Sequence, residues 1–222
     1  MMQALNLEQA RFNMIEQQIR PWDVLDQKVL ETLKNMPREA FVPEDQQDLA
    51  FMDIEIPIGH GESMLAPKVE GRILQALDIR PTDSVLEVGT GVGYLTACLA
   101  QLATAVFSVD IHEDLTVRAR ENLAAQSVKN VTLWTGDAAH GWDRAPAHYD
   151  VIVVSGSMPD YDDCFERQLK AGGRLFVVVG NPPAMEAQLV THVDNDAYGR
   201  TGLFETVLKP LVGREPKKVF HL

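Results

Sequence analysis

Three glycines and three carboxylates in the middle of this sequence stand at spacings suited to cradling a ligand. A short β-type run ends in Glu87-Val88-Gly89-Thr90-Gly91-Val92-Gly93-Tyr94, and a helical pattern begins with Leu95-Thr96-Ala97-Cys98-Leu99. Glycines at such a turn let the backbone approach a ligand closely, and the helix amino terminus offers free N–H groups. Twenty-one residues after Gly89 a second run ends at Asp110, where a carboxylate can accept both hydroxyls of a ribose. Glu87 closes the first run, near where an amino-acid ammonium would sit. Gly136-Asp137-Ala138 follows a third run, so that Asp137 can accept from an exocyclic adenine amine. Each acid alone reads as readily as a solvated strand end; specificity comes from the series, because a ligand with ammonium, ribose and adenine needs all three. The third glycine arrives one residue too early for G-x-G-x-x-G, and Tyr94 fills the place of its small residue, which disfavours a nicotinamide dehydrogenase.

A second polar stretch, Gly59-His60-Gly61-Glu62-Ser63-Met64-Leu65-Ala66-Pro67, lies upstream. His60, Glu62 and Ser63 offer donors and acceptors, after which Met64 and Leu65 bring apolar bulk. If the stretch is extended, Ser63 and Leu65 share a face. His60 and Ser63 are candidates to orient a substrate there, with a loop-fixing hydrogen bond the alternative for His60 and a turn or cap role the alternative for Ser63.

These residues must be positioned by regular elements, and the pattern supplies them. Leu7, Ala10, Met14, Ile15 and Ile19 recur at helical spacing until Arg20-Pro21, and a second helix is expected from Asp26 to Met36, ended by Pro37. Pro67 suits a first helical turn, followed by a stripe of Val69, Ile73, Leu74 and Leu77. The register then changes to short β-branched segments at 84–88, 105–109, 131–134, 149–154 and 174–179, with helical stretches expected between them. Segments 186–193 and 203–208, joined by Asp194-Asn195-Asp196-Ala197-Tyr198-Gly199, read as an antiparallel closing hairpin. The fold class is α/β: a doubly wound, mostly parallel seven-stranded Rossmann-like sheet with an N-terminal helical cap. The expected organisation is a cap and substrate loop over 1–66 packed on a ligand-binding core over 67–222, one compact domain overall.

Composition bounds the partners. The 222 residues carry 20 Lys and Arg against 32 Asp and Glu, a formal charge of -12, which disfavours nucleic acid and anionic membrane surfaces. Cys98 and Cys164 lie far apart without Cys/His spacing, so neither a disulfide framework nor a metal site is expected. No run reaches the ~18 apolar residues of a membrane span, and the amino terminus lacks a signal pattern; a cytoplasmic protein is expected.

The glycine loop with its three acids resembles the S-adenosylmethionine-dependent methyltransferases. Amine methylators of that class carry Asn or Asp-Pro-Pro-aromatic after the fourth strand, where this sequence has Ser155-Gly156-Ser157-Met158-Pro159; Asn181-Pro182-Pro183 comes after the fifth and reads as a turn. Almost end to end the chain resembles the protein-L-isoaspartate O-methyltransferase family, through Met14-Ile15-Glu16-Gln17-Gln18-Ile19, Pro37-Arg38-Glu39-Ala40-Phe41-Val42-Pro43, Pro57-Ile58-Gly59-His60-Gly61, the run 86–97, Tyr149–Val154 and Gln168–Leu175. The resemblance implies a seven-stranded sheet with a reversed last strand, S-adenosyl-L-methionine as cofactor, and protein or peptide substrates bearing a free carboxylate, L-isoaspartyl residues above all. It implies Glu87, Gly89, Thr90, Gly91, Asp110, Ile111, Asp137 and Ala138 around the cofactor. In that family the loop typically continues Gln-Thr-Ile-Ser-Gln-Pro, its serine facing the substrate carboxylate; here Leu65 stands at that place, and Val212 stands where many relatives have a threonine. Ser63 and His60 are then the candidate replacements. A carboxylate is already ionised at neutral pH, so methyl transfer to it needs alignment and no general base. Two alternatives accompany the reading: a cofactor-binding module without turnover, and a methyltransferase for another acceptor.

Overall fold

The computed structural model describes residues 2–194 and 197–216. The chain opens with helix α1 (Met2–Met14), which continues as a π-helical turn (Ile15–Ile19) and a 3-10 turn (Arg20–Trp22) before Asp23 turns left-handed. The helical segment thus runs past the Arg20-Pro21 stop, because Pro21 fits the first turn of the new 3-10 segment. Helix α2 (Gln27–Asn35) is capped by Asp26, whose carboxylate accepts the N–H groups of Lys28 and Val29. Its buried face, Val29, Leu30 and Leu33, lies at the expected spacing.

The stretch around His60 is a hairpin, β1 (Ile56–Gly59) and β2 (Glu62–Met64), turning on His60 and Gly61. Both turn residues have positive φ, 54° and 70°, the combination that matches the twist of a two-residue hairpin. Helix α3 (Pro67–Leu77) follows at once and buries Val69, Ile73, Leu74 and Leu77.

The central sheet then forms from β3 (Ser84–Val88), β4 (Ala105–Asp110), β5 (Val131–Thr135), β6 (Tyr149–Met158), β7 (Leu169–Asn181), β8 (Ala184–Asp194) and β9 (Ala197–Glu205), in the order β5-β4-β3-β6-β7-β8-β9. The first five are parallel, β8 runs antiparallel to β7, and β9 antiparallel to β8. The reversed strand is therefore the penultimate one; two hairpins in series return β9 to the common direction. The last strand spans 197–205 instead of 203–208, and the joining residues Asn195 and Asp196 lie outside the described residues. Pro182-Pro183 forms the expected turn between β7 and β8.

Helices connect only the first half of the sheet: α4 (Tyr94–Leu102) between β3 and β4, and α5 (Glu113–Ala125) between β4 and β5. After β5 comes a loop, and between β6 and β7 only the 3-10 turn Glu166–Gln168, so the expected helices there are absent. Alternate residues of the inner strands feed two cores. Val85, Val106, Val151, Val153, Phe176 and Val178 join the N-terminal helices and α3 to α5 on one face. Leu86, Val88, Val109, Ile152, Val154, Leu175 and Val177 pack on the other face against Trp142, Met158 and Phe165 from loops and strand ends. A loop can close that face because large aromatics cover more apolar area per residue than helical aliphatics. Among the described residues no helix is long and apolar enough to cross a membrane.

Candidate active site

Strand order reverses at β3, with β4 on one side and β6 on the other, and loops leaving neighbouring strands in opposite senses open a crevice at their carboxyl ends. A cavity of about 190 Å³ occupies this place. At the ~10–15 Å³ that one water needs, this is room for a small molecule and not for a single solvent.

The glycine loop forms its floor. Gly89, Gly91 and Gly93 have φ of 95°, 54° and 89°, conformations that L side chains resist. At Gly89 a Cβ would lie 2.3 Å from Ser155 Oγ, and at Gly93 one would press on Ala119 of α5 at 3.2 Å. The turn therefore brings β3 against β6 and seats α4 close to α5. Asp110 ends β4 beside it. Its Oδ2 accepts the Gly91 N–H at 2.8 Å and its Oδ1 the His112 N–H at 2.9 Å. Those bonds use two of a carboxylate's roughly four acceptor sites, so each oxygen keeps one for a ligand hydroxyl. Burial pushes the Asp110 carboxyl up, opposed by the two backbone N–H groups. Asp137, exposed after β5, accepts the Ala139 N–H at 2.9 Å through Oδ1, which aligns the carboxylate with the wall.

Six of the eight residues expected around a cofactor line this cavity: Gly89, Gly91, Asp110, Ile111, Asp137 and Ala138. Glu87 and Thr90 lie behind it. Glu87 is fully buried, and its Oε2 accepts the Thr96 and Ser108 hydroxyls, tying the end of β3 to α4 and β4; Thr90 Oγ1 lies against Ser108 Oγ in the same cluster. Burial raises the Glu87 carboxyl to about 8 against those two hydrogen bonds. Its carboxylate is enclosed beneath the loop and does not line the cavity.

Ser63 and Leu65 both line the cavity, while Met64 between them turns into the core, the alternation an extended segment imposes. His60 does not line it. Its Nε2–H donates to the Asp114 carboxylate, both oxygens 2.9 Å away, and its ring stacks on His112 at 4.0 Å. His60 thus fixes the hairpin turn to α5, the loop-fixing role named as its alternative.

Three parts of the wall were not among the expected site residues. Ser155 and Gly156, at the carboxyl end of β6, line the cavity, and the Ser155 hydroxyl lies 2.9 Å from the carbonyls of Val88 and Gly89; a strand end next to the switch point was the clue to them. Ile58 projects from β1, and a Cβ on Gly91 would approach its Cδ1 to 3.1 Å. Leu208 to Val212 cross the remaining side as a strap. Ser157 holds that strap, donating its N–H to the Lys209 carbonyl at 2.9 Å and its hydroxyl to the Leu208 carbonyl at 2.8 Å. These contacts span some fifty residues of sequence, beyond any local pattern.

The donor set fits S-adenosylmethionine. A glycine cradle and a strand-end acid with a free acceptor on each oxygen meet a polar nucleoside, and Ile111 and Ala138 offer apolar contact to a flat base.

Comparison with known proteins agrees with this geometry. The chain matches the family model described as "Protein-L-isoaspartate(D-aspartate) O-methyltransferase (PCMT)" over residues 9–216. A protein-L-isoaspartate O-methyltransferase of Koribacter versatilis is 37% identical over 206 residues, covering 92% of this chain and 91% of the relative. A protein-L-isoaspartate O-methyltransferase 2 of Anaeromyxobacter is 40% identical over 193 residues, covering 86% and 78%. Among solved structures, a Plasmodium falciparum chain assigned to the same family, in complex with S-adenosyl-L-homocysteine, has the same fold: its TM-score is 0.75 at 18% identity, covering 92% of this chain and 97% of that one. With the match extending across nearly the whole sequence, this chain belongs to the protein-L-isoaspartate O-methyltransferase family.

Proposed function

We propose that this chain is an S-adenosylmethionine-dependent methyltransferase that esterifies a carboxylate on a protein or peptide, with L-isoaspartyl residues as its acceptor. The observation that carries the reading is the wall at the switch point, where a left-handed glycine turn and Asp110 meet the Ser63–Leu65 edge of the hairpin in one cavity. When bound, S-adenosylmethionine supplies an electrophilic methyl group on a sulfonium.

The chain's own residues bind, orient and exclude water. Gly89 and Gly91 present backbone to the cofactor, Asp110 accepts ribose hydroxyls, Asp137 accepts the adenine amine, and Ile111 and Ala138 pack the base. Ser63 stands on the acceptor side with a free hydroxyl direction, while Leu65 excludes water from that edge. No residue must take a proton, because the acceptor is ionised at neutral pH; rate comes from holding it in line and from a site that solvates the charges poorly.

Incubation with labelled S-adenosylmethionine and an isoaspartyl peptide is the direct test. A base-labile methyl ester above the level of an aspartyl control is expected, and its absence overturns isoaspartate as acceptor. Leu65 favours examining a second reading, a binding module without turnover, since it has no donor at the acceptor edge. Leu65→Ser separates the two: tight cofactor binding with no ester from either form supports the module, while ester from the unsubstituted chain rules it out.

A further inference from the structure

The cavity mouth poses an electrostatic problem for an anionic acceptor. Glu55, Glu62, Asp110 and Asp137 all line it, and among the described lining residues Lys209 is the only lysine or arginine. A carboxylate entering this ring of acids is repelled unless a cation meets it.

Lys209 stands where that meeting would occur. Its Nζ donates to the Glu62 carboxylate and, at 3.2 Å, to the Gly61 carbonyl, so the ammonium bridges the strap and the β1–β2 hairpin beside Ser63. Its backbone is rooted in β6: the Ser157 N–H donates to the Lys209 carbonyl, the Ser157 hydroxyl to the Leu208 carbonyl, and the Leu211 N–H to the Ser157 carbonyl. Glu62 is carried instead by the hairpin, next to a turn of three consecutive positive-φ residues, Gly59, His60 and Gly61. The pair is half in solvent, its side chains 49% and 25% exposed, so an incoming group can reach it.

We infer that Lys209 receives and orients the acceptor carboxylate, and that Glu62 holds the ammonium until the acceptor displaces it. This rests on the reading of the chain as a carboxyl methyltransferase. The exchange replaces one carboxylate by another, so the ammonium is already partly stripped of water before the acceptor arrives. An ammonium has three donors, so one can stay on the Gly61 carbonyl while a second changes partner, and the acceptor arrives with one oxygen fixed at the rigid wall. Such a role also supplies a donor at an edge where Leu65 has none.

The test is methyl-transfer kinetics on an isoaspartyl peptide for the unsubstituted chain, Lys209→Met, Lys209→Arg and Glu62→Gln, with cofactor affinity measured by calorimetry. Lys209→Met should raise the acceptor KM by about tenfold, the scale of one half-exposed charge-assisted hydrogen bond, and leave cofactor affinity within about twofold. Lys209→Arg should recover part of the loss. Glu62→Gln should lower the acceptor KM, because the internal competitor is gone, and rising salt should raise the acceptor KM of the unsubstituted chain relative to that of Lys209→Met. If Lys209 and Glu62 merely latch the hairpin, both substitutions loosen the same contact and shift KM the same way; that result, with ester still formed by the unsubstituted chain, overturns this inference alone. No ester from the unsubstituted chain overturns the proposed function and this inference with it.

Discussion

At the scale of single residues, the cavity depends on places where one atom decides. Gly89 is the sharpest: a methyl group there meets Ser155 Oγ at 2.3 Å in a backbone with φ of 95°. The serine can swing away only by leaving the carbonyls of Val88 and Gly89. Gly89→Ala is therefore expected to cost about 2–4 kcal/mol of stability, combining left-handed strain with a lost contact, and to weaken S-adenosylmethionine more than tenfold. Thermal melting and calorimetry read the two effects. Adding Ser155→Ala should return part of the stability by removing the clash, but not the part that belongs to φ. The glycine turn and the acids at Asp110 and Asp137 were legible in the sequence because their signal is local, a turn and two strand ends. Glu87 was legible as an acid at a strand end, but its side of the strand was not. One residue of register separates the cavity from the core, and the strand is buried on both faces, through Val85 on one and Leu86 and Val88 on the other, leaving no alternation to choose between them.

At the scale of elements, the hairpin and the N-terminal helices are tied to α3 by one buried cation. Arg38 is fully buried and donates to the Ala50 carbonyl through Nε, to the Leu65 carbonyl at 2.6 Å through Nη2, and to the Glu70 carboxylate of α3 through Nη1, with its guanidinium 4.9 Å from the centre of the Tyr94 ring. It thereby sets the backbone that presents Ser63 and Leu65 to the cavity. Arg38→Met leaves the buried Glu70 carboxyl without its partner, and breaking a buried pair in this way costs about 3–5 kcal/mol; urea denaturation should show this, with the double variant Arg38→Met and Glu70→Met markedly less destabilised than the single. Equal losses in the single and double variants would remove the ion pair from the account and leave only the lost carbonyl contacts. The Pro37–Pro43 segment was conspicuous in the sequence, yet its work was not, because the partners of Arg38 lie at positions 50, 65 and 70. The helices α2 and α3 and the inner strands were legible through burial periodicity. The edge strand was not: Ala197-Tyr198-Gly199 reads as part of the joining turn, but on the outside of a sheet a strand has one partner and little apolar demand. The apolar residues Val207 and Leu208, expected to end that strand, instead belong to the segment that leaves the sheet and forms the strap.

At the scale of the whole molecule, the charges set how stability varies with pH. Asp150, at the start of β6, lies at about 2: burial would raise it, but the Lys170 ammonium and the Ser84 N–H and hydroxyl hold it down. An acid depressed in the folded chain contributes stability that is present above its unfolded value of 3.8 and lost as pH falls toward 2. Glu87 acts in the opposite sense. Burial raises it from 4.5 to about 8, so the folded chain holds a proton that the unfolded chain has released, and stability is present in full below about 4.5 and declines as pH rises through about 8. Burial pushes Glu70 and Asp110 upward as well, and a formal charge of -12 adds self-repulsion at neutral pH. The two trends bracket a maximum on the acid side of neutrality, near the sequence pI of 4.9, below the range in which a carboxyl methyl ester is most readily hydrolysed by base. Melting temperature measured from pH 4 to pH 9 should therefore peak near pH 5 and fall through pH 8. Glu87→Gln keeps an acceptor for the Thr96 and Ser108 hydroxyls while removing the ionisation, so the fall between pH 5 and pH 8 should flatten in that variant and the acid limb should not change. A variant that melts with the same slope as the unsubstituted chain across that window would place the raised proton on another group, and Glu70 would be the next to substitute.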